Sequence, residues 1–399
     1  MNGDPNSGSG IRVRLFGRTD VGQIREHNED NFLVADLTRG SRSLMESDRE
    51  QRVAERGTVL GVCDGMGGAA AGEVASQLAV DIIYEKLAQG DPPANHDELA
   101  RRLVNAVEEA GGRIFGEARA DRTRRGMGTT ATIAALLDMR LFVAQVGDSR
   151  AYLLRGDKFV QVSRDQSLVN QLIEAGQLTE EEAETFEHNN IILQALGTAE
   201  TVQVDLTFVD LRKGDTLLVC SDGLSGMLRA DEMREVLLNY REPFDACKEL
   251  VDRANRAGGH DNITVIVAVF EGDLPNPSPN DVLAYQKYAL PEAPAEATVR
   301  APSVSPTEVY TPPPSQEAQR ESRKLRVGHT MVGLTNPLAS TPTSGTPTPP
   351  QRVSGPPPTF NIEDEPVSIP TSGLAPSLVG MMVLTAMLLV AIAGFLLLR

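Results

Sequence analysis

The sequence predicts an α+β domain built mainly from antiparallel strands, followed by a proline-rich linker and one long apolar segment. Short apolar runs and amphipathic stretches fill residues 1–271, which hold only four of the 25 prolines. Most predicted strands neighbour another strand in the chain, and this arrangement argues against a doubly wound parallel sheet. Residues 378–398, by contrast, form an uninterrupted apolar run without a charged side chain.

Hydrophobic periodicity assigns the elements of the domain in chain order. Short apolar or alternating runs predict strands over Arg12–Thr19, Asn31–Asp36, Thr58–Cys63, Thr130–Asp138, Leu141–Val146, Ala151–Arg155, Thr216–Cys220 and Thr264–Phe270. Apolar residues spaced three and four apart predict helices over Glu73–Gln89, Asp97–Ala118, Asp231–Leu238 and Phe244–Ala257. We expect helical pieces and loop over residues 168–199.

The charge and cysteine content exclude several classes of protein. A net charge of −17 leaves no general basic face for nucleic-acid binding. Three cysteines, an odd number in 399 residues, exclude a disulfide framework. We expect Cys63, Cys220 and Cys247 to be buried thiols.

Composition divides the chain into four parts. Residues 1–10 are predicted to be a disordered N-terminus without a signal peptide, residues 11–271 the folded domain, and residues 272–377 a disordered linker rich in Pro, Thr and Ser. As a helix, residues 378–398 would be about 31 Å long, close to the bilayer core of about 30 Å. We therefore expect a single-pass anchor in the cell membrane, inserted after translation, with the domain in the cytoplasm. The basic stretch Arg323–Leu334 is either a docking peptide, for a partner or lipid headgroups, or ordinary linker.

Acidic residues lie at the ends of apolar strands in five separate segments. They are Glu29, Asp30, Asp64, Asp148, Asp222 and Asp261. A single Asp-Gly is ordinary turn chemistry, but four or more converging carboxylates would repel one another unless a cation neutralised them. Mg²⁺ and Mn²⁺ prefer such oxygen ligands, and no His or Cys cluster offers a zinc site. The pattern therefore favours a carboxylate-lined site for two metal ions.

Two adjacent metal ions are a standard device for phosphoryl transfer. Arg25, four residues before Glu29, can supply the cationic fork that a phosphate needs. The run Gly65–Ala70 mimics a dinucleotide-binding fingerprint, but no acidic residue ends a second strand about 20 residues later. Gly126–Thr130 lacks the Lys of a nucleotide-binding Walker loop.

The order of these motifs resembles that of the PP2C-type, metal-dependent Ser/Thr protein phosphatases (the PPM family) of the bacterial type. The motifs that carry the resemblance are Arg25-x-x-Asn28-Glu29-Asp30, Asp64-Gly-Met-Gly-Gly68, Gly128-Thr-Thr130, Gly147-Asp-Ser-Arg150, Ser221-Asp-Gly223 and Asp261-Asn262. The resemblance covers about residues 11–271. It implies an α-β-β-α sandwich, in which two antiparallel sheets are flanked by helices.

The resemblance also implies roles for the site residues and a cofactor, Mn²⁺ or Mg²⁺. Asp64 would bridge two ions, with Asp222 and Asp261 completing one site. Glu29 and the carbonyl of Gly65 would serve the other, with Asp30 nearby. Asp148 would help Asp222 to hold a third, weaker ion, and Arg25 would bind the substrate phosphate.

Two positions depart from the family pattern. Met66 stands where many members have a His proposed as general acid, which implies that metal-bound water protonates the leaving group. Gln166 stands within Asp165-Gln-Ser167, where the family often has Asp-His-Ser. This triplet begins the variable flap (residues 165–199), so the change bears on substrate preference rather than on the chemistry.

The resulting expectation is a phosphoric monoester hydrolase that removes phosphate from phosphoserine and phosphothreonine by a water activated between two metal ions. Its partners would be phosphorylated proteins, Ser/Thr kinases or their substrates, and the membrane, and its catalytic domain would be monomeric. The alternatives are a pseudophosphatase that only binds, or an activity narrowed to one partner. A dead member should have lost a metal carboxylate, and all of them are present.

Overall fold

The computed structural model describes residues 10–42, 49–67, 71–183, 186, 191–278 and 281–291, all within the unit Met1–Ser303. The strands in these residues are β1 Ile11–Asp20, β2 Asn31–Asp36, β3 Glu50–Arg52, β4 Thr58–Cys63, β5 Gly65–Met66, β6 Gly128–Thr129, β7 Ala131–Leu137, β8 Arg140–Val146, β9 Arg150–Arg155, β10 Lys158–Gln161, β11 Asp205–Asp210, β12 Thr216–Cys220 and β13 Ile263–Gly272. The helices are α1 Ala71–Ala88, α2 His96–Ala120, α3 Leu168–Glu174, α4 Glu180–Ala183, α5 Asp222–Ser225, α6 Ala230–Asn239 and α7 Pro243–Arg256.

Two antiparallel sheets form the centre of the domain. The larger has the strand order β10-β9-β12-β13-β1-β3, and the smaller has the order β11-β8-β7-β4-β2. Helices α1 and α2 pack on the smaller sheet, while α6 and α7 pack on the larger one. The predicted sandwich of two antiparallel sheets flanked by helices is therefore confirmed.

Strand β4 shows why the central strands read as continuous apolar runs. Successive side chains of a strand point to opposite faces of the sheet. Val59 and Cys63 lie in the core beneath α1 and α2, whereas Leu60 and Val62 lie in the core between the two sheets. Because both faces are buried, no polar alternation remains in the sequence. The three cysteines are free and buried, as expected.

The sequence missed several strands that are defined by their partners rather than by an apolar pattern. Strand β3, with the sequence Glu-Gln-Arg, is held at the sheet edge by pairing with β1. Strand β11 begins and ends with Asp and pairs with β8 along its whole length. Such edge strands gain their regularity from hydrogen bonds to a neighbour, which the sequence alone does not display.

The folded unit extends past the predicted start of the linker at residue 272. Residues 281–290, here called the strap, run beside β11: the Phe208 N–H donates to the Gln286 carbonyl at 2.9 Å, and the Tyr288 N–H donates to the Leu206 carbonyl at 2.8 Å. Leu283 is buried, and Tyr288 packs edge-on against Phe142 with 4.9 Å between ring centroids. These contacts correct the boundary, because this part of the predicted linker packs on the domain.

Other predictions fall on residues that the structure does not describe. They concern the N-terminus up to residue 9, the linker from residue 292 onward, the basic stretch Arg323–Leu334 and the apolar segment 378–398. Among the helices of the described residues, none combines the length and apolar character needed to cross a membrane.

A buried ion pair links the end of β9 to the loop between β11 and β12. Arg155, at the end of β9, donates to both carboxylate oxygens of Asp215, at 2.9 and 2.7 Å. Asp215 also accepts from the Arg212 N–H at 2.8 Å, and both side chains of the pair are almost fully buried. Removing one member of such a pair leaves the other charge uncompensated in a medium of low dielectric constant.

We expect Asp215→Asn to lower the free energy of unfolding by about 3–5 kcal/mol, because the buried Arg155 keeps its charge without a counter-charge. Urea unfolding followed by circular dichroism measures this. The control is Asp252→Asn, which removes an exposed pair with Lys248 within α7 and should cost about 1 kcal/mol or less. Equal losses for the two variants would contradict the interpretation.

Candidate active site

The register of the strands brings the acidic strand ends to one edge of the sandwich. In the smaller sheet Asn31 lies opposite Cys63, which places Glu29-Asp30 beside Asp64. In the larger sheet Cys220 lies opposite both Arg150 and Val265. Asp222, Asp148 and Asp261 therefore leave their strands at the same edge, since each is within four residues of one of these paired positions.

The main chain of Asp64 is fixed by two threonines at the start of β7. The Asp64 N–H donates to Thr130 Oγ1 at 2.9 Å, and the Asp64 carbonyl accepts from the Thr130 N–H and from Thr129 Oγ1, both at 2.8 Å. The Thr130 hydroxyl also lies 2.8 Å from that of Ser149. These bonds hold the residue through its backbone and leave its carboxylate free for other partners.

Asp64 lies at the centre of a group of mutually repelling carboxylates. Burial raises its pKa well above the usual range for Asp, and the charges of Asp30, Asp222 and Asp148 raise it further. Burial, followed by the charge of Asp261, raises the pKa of Asp222 as well. Burial and the like charges therefore both disfavour full ionisation of the cluster.

Buried oxygens in this group lack partners. Within the described residues, neither Asp148 Oδ1 nor Asp222 Oδ1 has a hydrogen-bond partner, although both atoms are buried. Burial and the neighbouring charges of Asp222 and Asp165 raise the pKa of Asp148 to about 8. An unpaired buried carboxylate oxygen is costly, so these atoms are candidates for contact with a cation.

Asp30 differs from its neighbours because its carboxylate already has partners. Ser221 Oγ donates to Asp30 Oδ2 at 2.8 Å, and the Thr264 N–H in turn donates to Ser221 Oγ at 3.0 Å. Burial raises the pKa of Asp30 to about 7, although its hydrogen bonds with Thr264 and Ser221 oppose this shift. The carboxylate of Asp30 is therefore already hydrogen-bonded within the protein, and its predicted place near a metal site stays a prediction.

Glu29 lies against the first turn of α1. Its Oε2 atom is 2.1 Å from the position that a Cβ atom on Gly72 would occupy, so a larger residue at 72 would displace the carboxylate. A Cβ on Gly65 would lie 2.3 Å from the Gly72 carbonyl oxygen and 2.5 Å from that of Glu29. The close approach of these backbone segments thus explains why positions 65 and 72 are glycines. Burial raises the pKa of the Glu29 carboxyl.

Asn262 connects the loop before β2 to the start of β13. Its Oδ1 accepts from the Glu29 N–H at 2.8 Å, and its Nδ2 donates to the carbonyls of Val21 and His27 at 3.0 and 2.9 Å. One buried side chain therefore holds both ends of the loop that carries Arg25. The sequence showed the Asp261-Asn262 motif but not this structural role of Asn262.

Arg25 extends from that loop over the acidic cluster. Its Nη2 donates to Asp261 Oδ2 at 2.7 Å, and the Arg25 side chain is about half exposed, at 53%. The predicted phosphate-binding residue therefore lies next to a predicted metal ligand. The exposure leaves the guanidinium free to turn toward a ligand in solvent.

Comparison with known proteins identifies the family. The family model described as Protein phosphatase 2C matches residues 41–261. The serine/threonine phosphatase stp of Listeria innocua is 36% identical over 250 residues, which make up 63% of this chain and 93% of that protein. The protein phosphatase PhpP of Streptococcus pneumoniae is 37% identical over 256 residues, 64% of this chain and 97% of that protein. The chain belongs to the protein phosphatase 2C family.

Solved structures agree with this assignment. The Mycobacterium tuberculosis serine/threonine phosphatase PstP/Ppp has a TM-score of 0.56 and 34% identity, and the alignment covers 65% of this chain and 99% of that chain. A structure of the PstP catalytic domain in complex with two manganese ions has a TM-score of 0.54 and 33% identity, with the same coverage of the two chains. The chain is thus a protein serine/threonine phosphatase.

The site of this phosphatase suits hard divalent cations. Its donors are carboxylate oxygens, two of them buried without partners, and Mg²⁺ and Mn²⁺ prefer such ligands. Within the parts of the chain that the structure describes, no group of three or more His, Cys, Asp or Glu side chains is arranged to hold a metal ion as it stands.

The flap begins on the loop that carries Asp148. Asp165 pairs with Arg150 at 2.6 Å, and its side chain is almost fully buried. Gln166 Oε1 accepts from the Gly147 N–H at 3.0 Å, while the Gln166 N–H donates to the Gly147 carbonyl at 2.9 Å. The amide of Gln166, which departs from the family pattern, thus bonds directly to the backbone beside Asp148.

Several residues of the site were not singled out from the sequence. Ser149, Thr264 and Gln145 complete hydrogen-bond networks behind the acids, and Gly72 makes room for Glu29. Thr and Ser at strand starts are common everywhere, so their type gives no signal. Met66, in the two-residue strand β5, pairs with Gly128 and is partly exposed, consistent with a position at the rim rather than in the cluster.

We expect the metal-free phosphatase to lose thermal stability as the pH rises from about 5 to about 8. Asp30 and Asp148 have folded-state pKa values of about 7 and about 8, above that of an unfolded Asp, about 4. The folded state therefore binds more protons, and the stability present below the unfolded pKa is lost as the pH rises through the folded values. Thermal unfolding with excess chelator at both pH values measures this.

In the same experiment Asp64→Asn should unfold at a higher temperature than the wild type at about pH 8, because it removes one repelling charge. Near pH 5 the difference should shrink, since the cluster is then mostly protonated. Asp252→Asn, in an exposed pair, serves as the control and should show no such pH-dependent gain. A wild-type melting temperature that rises with pH would contradict the interpretation.

Proposed function

We propose that the chain hydrolyses phosphoserine and phosphothreonine in proteins with the help of two divalent cations, Mn²⁺ or Mg²⁺. The observation that carries the proposal is the convergence of buried, partnerless carboxylate oxygens at one edge of the sandwich beneath an exposed arginine. When bound, such a pair of ions supplies a water nucleophile at neutral pH and neutralises charge on the phosphoryl group. The manganese-bound relative supports this cofactor class.

The proposal assigns the ligands by their position in the cluster. Asp64 is the central candidate, because its carboxyl interacts with those of Asp30, Asp222 and Asp148. Asp222 and Asp261 would complete one metal site, and Glu29 with the Gly65 carbonyl would serve the other. Asp30, whose carboxylate accepts a hydrogen bond from Ser221, would lie near the ions without being a primary ligand. Asp148 and Asp222 would together hold a third ion.

Arg25 would bind the substrate phosphate. Its guanidinium is a fork of donors that matches two phosphate oxygens, and its pairing with Asp261 keeps it at the mouth of the cluster. Met66 has no titratable proton, so it cannot protonate the leaving alkoxide. The chain's own contribution is then to orient the phosphate and to hold the acids in place before substrate arrives.

We expect turnover of a phosphothreonine peptide to require Mn²⁺ or Mg²⁺ and to disappear with excess chelator. Asp64→Asn and Asp222→Asn should each reduce kcat by about 100-fold or more, because each removes a charge that holds the ions, while circular dichroism remains that of the folded protein. Full activity in excess chelator would refute the metal mechanism. Metal-loaded wild type that binds phosphopeptide without turnover would indicate a pseudophosphatase.

We expect Arg25→Ala to raise KM by about 10- to 100-fold with a smaller effect on kcat, since a charge-assisted fork contributes mainly to phosphate binding. The control is Arg12→Ala, an exposed arginine at the opposite end of β1 from the site, which should leave both constants unchanged. An unchanged KM in Arg25→Ala would place the phosphate clamp elsewhere.

We also propose that residues 378–398 anchor the chain in the membrane, with the phosphatase domain on the cytoplasmic side. The support is a run of 21 residues without charge and a proline-rich connection to the domain. As a flexible coil, residues 292–377 would span roughly 46–56 Å, which lets the domain meet membrane-bound kinases or their substrates at raised effective concentration.

Deleting residues 378–399 should release the enzyme into the soluble fraction. Activity on a phosphothreonine peptide in solution should remain unchanged, while activity on a membrane-bound phosphoprotein should fall. Fractionation with and without detergent, followed by both assays, tests this. Full-length protein that is soluble without detergent, or a domain that an external protease digests in intact cells, would refute the proposal.

A further inference from the structure

Both ends of the flap are tied to the catalytic edge by backbone hydrogen bonds. At its start Gln166 bonds to Gly147, next to Asp148. Toward its end Leu196 exchanges two backbone bonds with Thr129, at 3.0 and 2.8 Å, beside the threonine that fixes Asp64. The described part of the flap therefore lies against the proposed site, where a protein substrate would have to pass it.

Helix α3, which lies in the flap, has no fully buried side chain, and its apolar residues are only partly buried. Polar contacts therefore add to the packing that holds it. Arg164 makes one of them: its Nε and Nη2 donate to the two carboxylate oxygens of Glu174, at 3.2 and 2.7 Å. Asn170 adds a bond to the Asp165 carbonyl at 2.8 Å. The orientation of α3 thus depends in part on where Arg164 lies.

Arg164 faces a second carboxylate at the start of β11. Its Nη1 atom is 3.9 Å from Asp205 Oδ2, and Asp205 is almost fully buried. Two carboxylates therefore share one guanidinium, Glu174 on the flap and Asp205 on the sheet. Any change in the other partners of Asp205 alters how strongly it competes for Arg164.

The other described partners of Asp205 belong to the strap. Tyr285 Oη donates to Asp205 Oδ1 at 2.6 Å, and Lys287 Nζ lies 3.5 Å from Asp205 Oδ2. Burial and the bond to Asp205 raise the pKa of Tyr285, so its proton stays in place at neutral pH. A continuous series of polar contacts therefore runs from the strap, which leads into the rest of the chain, to a helix of the flap.

We infer that the strap positions flap helix α3 through Tyr285, Asp205 and Arg164, and that this position determines how well phosphorylated protein segments bind. When the Tyr285 hydroxyl is present, it donates a hydrogen bond to the Asp205 carboxylate, and Arg164 remains paired with Glu174. Without it, Asp205 draws Arg164 toward itself, and α3 loses its ion pair with Arg164. The claim about binding of phosphorylated segments rests on the proposed phosphatase activity. The claim that the strap positions α3 does not.

The chain offers a matched pair of variants for the test. Tyr285 and Tyr288 lie three residues apart in the strap, and each donates its hydroxyl to an aspartate, Tyr288 to Asp97 on α2. Tyr288→Phe removes a hydroxyl from the same strap while leaving the Arg164 contacts untouched. Both substitutions keep the aromatic ring, so the packing of the strap is preserved.

The experiment uses the full chain in detergent with Mn²⁺. Hydrogen–deuterium exchange of residues 168–178 should be faster in Tyr285→Phe than in the wild type, and unchanged in Tyr288→Phe. For a long phosphothreonine peptide, KM should rise about two- to fivefold in Tyr285→Phe, the range expected for an exposed ion pair, with kcat unchanged. KM for a small aryl phosphate, which does not reach the flap, should not change.

Glu174→Gln should reproduce the raised KM for the long peptide, and adding Tyr285→Phe to it should have no further effect, because both act on the same contact. Equal exchange and equal KM in Tyr285→Phe and Tyr288→Phe would overturn the inference, as would faster exchange without a change in peptide KM. Wild type that turns over neither substrate would refute the proposed function instead, and exchange alone would then decide whether the strap positions α3.

Discussion

The burial of several carboxylates against one another is the constraint on which the rest of this structure depends. Asp64 lies among Asp30, Asp148 and Asp222, and burial together with mutual repulsion disfavours their charged forms. Such a group tends to move apart or to admit water unless its backbone is held firmly. The two sheets provide that support, because the acids follow or precede strands whose registers are fixed by pairing along their length.

The acids are held in a way that leaves their charged oxygens available. Thr130 bonds to the backbone of Asp64, and Asn262 bonds to the backbone of Glu29, so neutral side chains satisfy the main chain. Asp30 is the exception, since its carboxylate is occupied by Ser221. This difference separates acids that can bind a ligand directly from one that supports them. Substitution of Thr130 or Asn262 would therefore shift the position of an acidic residue without removing a negative charge from the cluster.

The parts of the fold that could be predicted from sequence are those in which burial alone determines the pattern. Strand β4, buried on both faces, is a plain apolar run, and the stripe along α2 is evident from its spacing. Strand β11 and the strap could not be predicted, because β11 gains its regularity from pairing with β8, and the strap from its bonds to β11. For the site, the acids themselves were visible at strand ends. The roles of Thr130 and Asn262 were not, since they depend on which backbone groups the fold brings within reach.

In the proposed mechanism, the pairing of Arg25 with Asp261 would connect substrate binding to the neutralisation of the acidic cluster. A domain with this excess of acidic residues repels a phosphorylated protein, and the buried acids repel the phosphate most strongly at the site itself. While Asp261 is charged and unoccupied, it competes with the phosphate for the guanidinium at 2.7 Å. A cation that takes Asp261 as a ligand weakens this competition and reduces the repulsion at the same time. The proposed clamp would then become available under the same condition that makes the site attractive to a phosphate, and substrate would bind to the metal-loaded form in preference to the metal-free form.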